Sequence, residues 1–275
     1  RFDIQYALCT LSQYTCAPCI GHLQALYRIF GYLKTHQHAA IPFDGSDPEM
    51  LTNVDFQRVH DWTEVFPDAF EELPKKSPIP HCDSEPIHIT CFVDADHARN
   101  RVTRRSVTGI LLFINNTPLI WISRRQRTVE TSTFGSEMIA ARTAIDLIIE
   151  MRYKLRSIGL KIQPQSTLIG DNLSVIINTT SPASKINKKH LSCQIMRVRE
   201  AVAAGFVRFG HTRTEHNAAD VLTKPLGPLA FHRTLHPYLF RHLKHHRCDQ
   251  VCDRPQPFRS QYKKNTMKTS SSNAS

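Results

Sequence analysis

The chain has 275 residues, 41 % of them hydrophobic, and a formal net charge of +11. That is enough for one large domain with appendages, while no apolar run reaches the roughly 18–20 residues of a membrane span and no signal-peptide pattern is read at the start. The charge is uneven: residues 44–86 hold eleven of the 24 acidic residues against three basic ones, a net −8 that leaves +19 elsewhere. A basic body carrying an acidic insert disfavours membrane-embedded and secreted classes and favours a polyanionic partner such as nucleic acid.

In chain order, the first residue is Arg1, as expected for a piece of a longer reading frame. Pro18 precedes a helix over 20–34 (IGHLQALYRIFGYLK), where Leu23, Leu26, Ile29, Phe30 and Leu33 share one stripe. Segment 44–86 carries Pro48, Pro67, Pro74, Pro78, Pro80 and Pro86 among its acids and reads as a linker or irregular insertion. Order begins at residue 87. IHITCFV (87–93), VTGILLFI (107–114) and PLIWIS (118–123) read as three antiparallel strands, the last two joined through Asn115-Asn116-Thr117. A long helix over about 133–158 comes next, then a strand (STLIG, 166–170), a helix from Asn172 and a basic loop at 185–190. A helix at 191–203, a strand (FVRFG, 206–210) and a helix around 216–223 complete the pattern. This order predicts α/β architecture on a mixed sheet. Beyond about residue 245 the chain turns polar and is expected to be disordered.

The eight cysteines, without a secretory signal, fit a reducing compartment and free thiols. Cys16 and Cys19 form a CxxC with no second pair at zinc-ribbon spacing. The tail HLKHHRCDQVC (242–252) has zinc-ligand residue types at weak spacing and reads as a basic, irregular tail.

Acidic side chains fall where a core is expected. Asp94 and Asp96 end the strand IHITCFV. Glu137 heads the stripe Glu137, Ala141, Ala144, Ile148, Met151, Leu155 in the first turn of the long helix, on its buried face. Asp171 ends the strand TLIG, and Asp220 lies in NAADVLTK. Singly, each has an ordinary reading: Glu137 and Asp171 favour helix starts, Asp220 suits a surface, and Asp94 and Asp96 open a turn. Jointly, four acids on elements that would pack together cannot all ionise without countercharge. Two hard divalent cations would supply it and would clamp both oxygens of a phosphodiester during in-line displacement.

The blocks DADHARNRVTRRSVTGILLFINNTPLIWISRRQRTVETSTFGSEMIAAR, IGDNLSVI and HTRTEHNAADVLTKPL resemble the ribonuclease H domain of copia-type LTR retrotransposon polyproteins. That family shows a DADWAG-like motif, SxTGY, a W-x-S-x-(K/R)-Q block, an STEAEY-like helix start, CDN and ADILTKPL. The resemblance covers roughly residues 87–230 and implies a five-stranded mixed sheet with three antiparallel strands first, flanked by helices. It implies Asp94, Glu137, Asp171 and Asp220 as catalytic metal ligands for two Mg²⁺ ions, with Mn²⁺ as the substitute, and His211 as a mobile catalytic histidine, with His216 near. Departures are His97 for tryptophan, Arg99 for glycine, and Phe134-Gly135 at the helix entry. Arg in place of Gly is disfavoured where the backbone needs a positive φ.

Residues 1–43 resemble the thumb-like helical end of the preceding reverse transcriptase, through Arg1, Asp3, Ile4, Leu11, Ser12, Pro18, His22, Leu26, Ile29, Tyr32, Leu33 and Lys34. The polymerase's own aspartate pair is absent from the sequence, so the reverse transcriptase core is an expected partner. The expected organisation is thus a thumb-like segment (1–43), an acidic insertion (44–86), a ribonuclease H-like domain (87–230) and a basic tail (231–275).

The implied activity is metal-dependent endonucleolytic hydrolysis of the RNA strand of RNA–DNA hybrids during reverse transcription, in cytoplasmic virus-like particles or the nucleus. A hybrid is recognised through its 2′-hydroxyls and backbone shape. The expected phosphate contacts are Arg99, Arg101, Arg104 and Arg105, then Arg124, Arg125 and Arg127, then Lys185, Lys188, Lys189 and His190. The alternatives are an inactive remnant that only binds nucleic acid, and an integrase-like enzyme of related fold, whose acids would be spaced differently.

Overall fold

Alternation of Ile89, Cys91, Val93 and Ala95 with Thr90, Phe92, Asp94 and Asp96 gives the central strand one apolar face and one mixed face that ends in carboxylates, and all but Asp96 are buried. The computed structural model describes residues 1–73, 85–186 and 189–240. Its six strands are β1 (Asp55–Phe56), β2 (Ile89–Asp96), β3 (Val107–Ile114), β4 (Thr117–Arg125), β5 (Ser166–Gly170) and β6 (Val207–His211), in the order β1-β6-β5-β2-β3-β4. Strands β2, β3 and β4 are antiparallel, whereas β5 runs parallel to β2 and β6 parallel to β5. The expected five strands are therefore present with one more. β1 comes from the acidic segment and pairs antiparallel with β6. Gly210 makes room for it, since a Cβ there would lie 2.1 Å from Val54 Cγ1.

The helices are α1 (Gln5–Ser12), α2 (Ile20–Thr35), α3 (Thr133–Ser157), α4 (Leu173–Thr180), α5 (Ser192–Ala203) and α6 (Pro228–Leu239). Ser132 caps α3 by accepting from Gly135 N, and Asn172 caps α4 through Val175 N. Ala140, Ala141, Ala144, Ile145 and Ile148 of α3 meet Ile89, Cys91 and Val93 on one sheet face, joined by Val175 and Ile176 of α4 and Ile195 and Val198 of α5. The small alanines let α3 lie close to the sheet. On the other face the Phe92 and Phe113 rings meet edge to face with centroids 5.9 Å apart, and the Tyr238 ring of α6 is 4.9 Å from that of Phe113. Residues 216–223, read as a helix, instead form two 3₁₀ turns, Thr214–His216 and Ala218–Leu222. Asn217 separates them. Its side chain accepts from Ala219 N and donates to Val93 O at 3.0 Å, starting the second turn against β2.

The stripe expected along α2 is divided. Leu26, Ile29 and Leu33 are half-buried, while Leu23 and Phe30 face solvent. The acidic segment is bound at both ends of its described part. Asn116, at the β3–β4 turn, donates to Asp47 O at 2.8 Å and accepts from Glu49 N at 3.0 Å. Farther along, Glu71 engages Arg152 of α3, whose side chain is fully buried. No helix among the described residues is long and apolar enough to cross a membrane. The tail read for zinc lies outside the described residues.

Candidate active site

The four acids reach one place by four routes. Asp94 sits in β2 opposite Gly109 of β3, and Gly109 opposes Ser123 of β4. Glu137 stands in the second turn of α3, not the first, so the helix dipole does not account for it. Asp171 follows Gly170 at the end of β5, and the second 3₁₀ turn brings in Asp220. One carboxylate oxygen from each of Asp94, Glu137 and Asp171 lies within 4.8 Å of the others. Asp220 is linked to Asp94 through Lys224, whose Nζ is 2.9 Å from Asp220 Oδ1 and 3.8 Å from Asp94 Oδ2.

Crowding and burial oppose ionisation here. Burial, then the Asp94 and Asp171 charges, push Glu137 up to about 9. Burial and Asp94 push Asp220 up to about 7. Asp94 is raised mainly by burial, against the pull of Lys224 and of Thr223, whose hydroxyl donates to Asp94 Oδ2. Burial alone would lower Lys224, but Asp94 and Asp220 overcome it and hold its ammonium above the usual range. The donor set is all carboxylate oxygen, the chemistry that suits Mg²⁺ or another hard divalent cation, and its resistance to full ionisation is the deficit such a cation corrects. The residues present fit the metal.

Neighbouring side chains fix this geometry. Gly109 allows the second 3₁₀ turn against β3, because a Cβ there would lie 2.5 Å from Thr223 Cγ2 and 2.9 Å from Ala219 O. Gln126 donates to Thr108 Oγ1 and to Ser136 O, both at 2.9 Å, tying β3 and β4 to the first turn of α3. Gly135 leaves space that the buried Glu130 carboxylate fills. His97 Nδ1 lies 3.5 Å from Ser136 Oγ.

His211 ends β6 with Nε2 3.3 Å from Asp171 O, at the rim of the cluster, while His216 is in the first 3₁₀ turn, where its ring faces Glu215 at 3.9 Å. Asp96 is also raised, first by burial, and its Oδ2 lies 3.4 Å from Arg99 Nε. The positive φ in this turn falls on Ala98 (51°), one residue before Arg99, so the glycine-to-arginine departure imposes no strain of that kind.

Arg101 and Arg104 are exposed in the β2–β3 loop beside the half-buried Arg105, and Arg124 and Arg127 are exposed at the end of β4. Arg125 instead donates to Gln13 Oε1 at 3.1 Å, which Asn100 also bonds at 2.9 Å. By register the β2–β3 loop and the end of β4 lie beyond Asp94 at the same end of the sheet. Lys185, Lys189 and His190 are exposed ahead of α5, and His190 Nε2 is 3.4 Å from Glu130. Lys188 lies outside the described residues. Sequence reasoning missed Asn217, Thr223 and Lys224, although all three stand in the NAADVLTKPL block around Asp220.

A mixed sheet whose first three core strands are antiparallel, with carboxylates from its central strand, the next strand and the crossing helix, defines a ribonuclease H-like fold. No protein-family model matches the chain. It is 25 % identical over 235 residues to the "Retrovirus-related Pol polyprotein from transposon RE1" of Arabidopsis thaliana, covering 84 % of this chain and 13 % of that protein. It is 30 % identical over 224 residues to the corresponding polyprotein from transposon TNT 1-94 of Nicotiana tabacum, covering 82 % and 14 %. The chain is thus a homologue of one stretch of copia-type transposon Pol polyproteins, spanning about an eighth of their length. Among solved structures, ribonuclease H1 from Halobacterium salinarum is 18 % identical with a TM-score of 0.39, covering 50 % of this chain and 94 % of that one. LC11-RNase H1, solved in complex with RNA/DNA hybrid, is 17 % identical with a TM-score of 0.38, covering 49 % and 93 %.

Proposed function

We propose that this chain is the ribonuclease H region of a retrotransposon Pol polyprotein and hydrolyses the RNA strand of RNA–DNA hybrids. The observation that carries the reading is the convergence of Asp94, Glu137 and Asp171 from three separate elements, with Asp220 joined to Asp94 through Lys224, Glu137 and Asp220 being pushed up to about 9 and about 7 by burial and neighbouring charge. These four would hold two divalent cations, Mg²⁺ or Mn²⁺. When bound, such ions activate a water and stabilise the departing oxygen of a phosphodiester.

The chain's own residues do the rest. Asp94 is oriented by the Thr223 hydroxyl and Asp220 by Lys224. His211, beside the Asp171 carbonyl, is the group placed to carry a proton at the rim. Arg99, Arg101, Arg104, Arg105, Arg124 and Arg127, with Lys185, Lys188, Lys189 and His190, grip phosphates and set register without reading bases, whereas Arg125 is held by Gln13. In this reading residues 87–230 form the catalytic domain, 1–43 the thumb-like end of the reverse transcriptase, 44–86 an acidic insertion and 231–275 a basic extension that begins within α6. The reverse transcriptase core of the same polyprotein is the partner, and the site of action is a cytoplasmic virus-like particle or the nucleus.

The test is cleavage of a labelled RNA–DNA hybrid by the purified chain, with and without Mg²⁺, beside Asp94→Asn. The expected result is metal-dependent cutting of the RNA strand alone, lost in the variant, with metal-free hybrid affinity equal or higher because a negative charge has been removed. Undiminished cleavage by Asp94→Asn would sink the assignment. Hybrid binding without cleavage by the unaltered chain would mark a binding remnant instead.

A further inference from the structure

The carboxylate cluster already holds a cation of the protein's own. Lys224 leaves the second 3₁₀ turn four residues after Asp220, and the main-chain amides of Thr223 and Lys224 both donate to Asp220 O at 3.2 Å. Pro225 follows and stops the turn. The Lys224 side chain remains 30 % exposed while the Asp94 and Asp220 side chains it pairs with are 5 % and 8 % exposed. The stem therefore enters from the solvent edge and delivers its ammonium to buried carboxylates. Among the described residues, Lys224 is the cation that pairs with either of them, and Arg99, the nearby guanidinium, is turned to Asp96.

An ammonium shared by two buried carboxylates supplies the countercharge that keeps them from repelling each other. It does so on Asp94 Oδ2 and Asp220 Oδ1, oxygens for which a divalent cation bound by these two residues would compete. One unit charge cannot balance four carboxylates, so the cluster keeps an attraction for more positive charge, but a metal ion that uses Asp94 and Asp220 must displace the ammonium.

We propose that Lys224 is the resident counter-ion of the site, holding Asp94 and Asp220 together in the metal-free chain and competing with divalent metal for them. This rests on the reading that the cluster binds metal. Lys224 is then a positioning residue that sets how much metal the site requires before it fills.

Mn²⁺ binding to the full chain in the absence of nucleic acid tests this, measured by calorimetry and by the spin-resonance signal of free Mn²⁺, together with thermal unfolding with and without the ion. Lys224→Met and Lys224→Gln remove the charge, Lys224→Arg keeps it, and Asp94→Asn reports whether the cluster is the metal site at all. The expected result is that both neutral variants bind Mn²⁺ about tenfold or more tightly than the unaltered chain. They should also unfold at lower temperature without metal, recovering more on adding it, while Lys224→Arg stays close to the unaltered chain on both counts. If a neutral variant folds only when Mn²⁺ is present, that too is the expected direction. Equal or weaker Mn²⁺ binding in folded neutral variants overturns the proposal while the metal site itself stands, provided Asp94→Asn abolishes binding. No Mn²⁺ binding by any variant overturns both.

Discussion

Gly109 shows how finely the candidate site depends on a single atom. It opposes Asp94 across the β2–β3 pair, and the absence of a Cβ lets Thr223 and the Ala219 carbonyl sit against β3. The 2.9 Å approach to Ala219 O involves backbone, which cannot swing aside as a side chain can. Gly109→Ala is expected to destabilise the chain by about 1–3 kcal/mol through overpacking, and to move Asp220 and Thr223 away from Asp94. A lower urea midpoint with an unchanged slope, accompanied by loss of hybrid cleavage, would be the signature, and an unchanged midpoint would show that the turn can yield. At this scale much of the site was legible. Glu137 stands where the helix period puts an apolar side chain, and Asp94 directly follows the apolar run of its strand, so the anomaly is visible without coordinates. Lys224 was not legible, because a lysine four residues after an aspartate is the ordinary pattern of an exposed helical pair. What distinguishes it is the burial of its partners, and only the fold supplies that.

Between elements, α3 is the part of the chain that most others depend on, and its length and buried stripe could be read from periodicity alone. Its attachment to the acidic segment could not. Arg152 is fully buried, and donates to Glu71 twice and to Gln163 O, Pro164 O and Ser166 Oγ, while Arg156 also pairs with Glu71. Read as sequence, Glu71 is one acid in a proline-broken stretch, and Arg152 is a charge on an apolar face. Each explains the other only when they meet. Burial works against the Glu71 charge, but hydrogen bonds from Arg152 and Arg156 overcome it and hold the carboxyl down at about 2. Glu71→Ala leaves a buried guanidinium without its counter-ion and is expected to cost about 3 kcal/mol at neutral pH. A carboxyl held below its ordinary value of 4.5 stabilises the fold fully above that pH and loses the contribution as pH falls towards about 2. The stability gap between the unaltered chain and Glu71→Ala should therefore narrow across that window in urea titrations at stepped pH. A gap of constant size would mean that packing, not charge, anchors the segment. β1 escaped the sequence for a related reason: two residues carry no periodicity, and the pairing follows from the space above Gly210.

Among the described residues, basic loops reach the same end of the sheet as the acidic cluster, and in the proposed reading this contrast organises the encounter with a polyanion. The count of charges is plain in the sequence, whereas their placement required strand register to bring the β2–β3 loop and the end of β4 to the Asp94 end of the sheet. Even there the positive residues are not equivalent. Arg125 is turned inward to Gln13 and His190 towards Glu130, whereas Lys185 and Lys189 are exposed. Neutralised phosphates release counter-ions, so each contact adds to the slope of log affinity against log salt, by about 0.9 on duplex DNA and less on single strands. In the proposed reading Lys185→Ala with Lys189→Ala should therefore weaken hybrid binding and flatten that slope by just under 2 when both lysines touch phosphate. The loss should be the same for hybrids of unrelated sequence, because backbone contacts carry no base information. Arg125→Ala should leave the slope nearly unchanged and lower stability instead. Titrations at several salt concentrations on two hybrids of different sequence separate these outcomes. A loss confined to one sequence would assign the lysines to base recognition, and an unchanged slope would place the hybrid on another face.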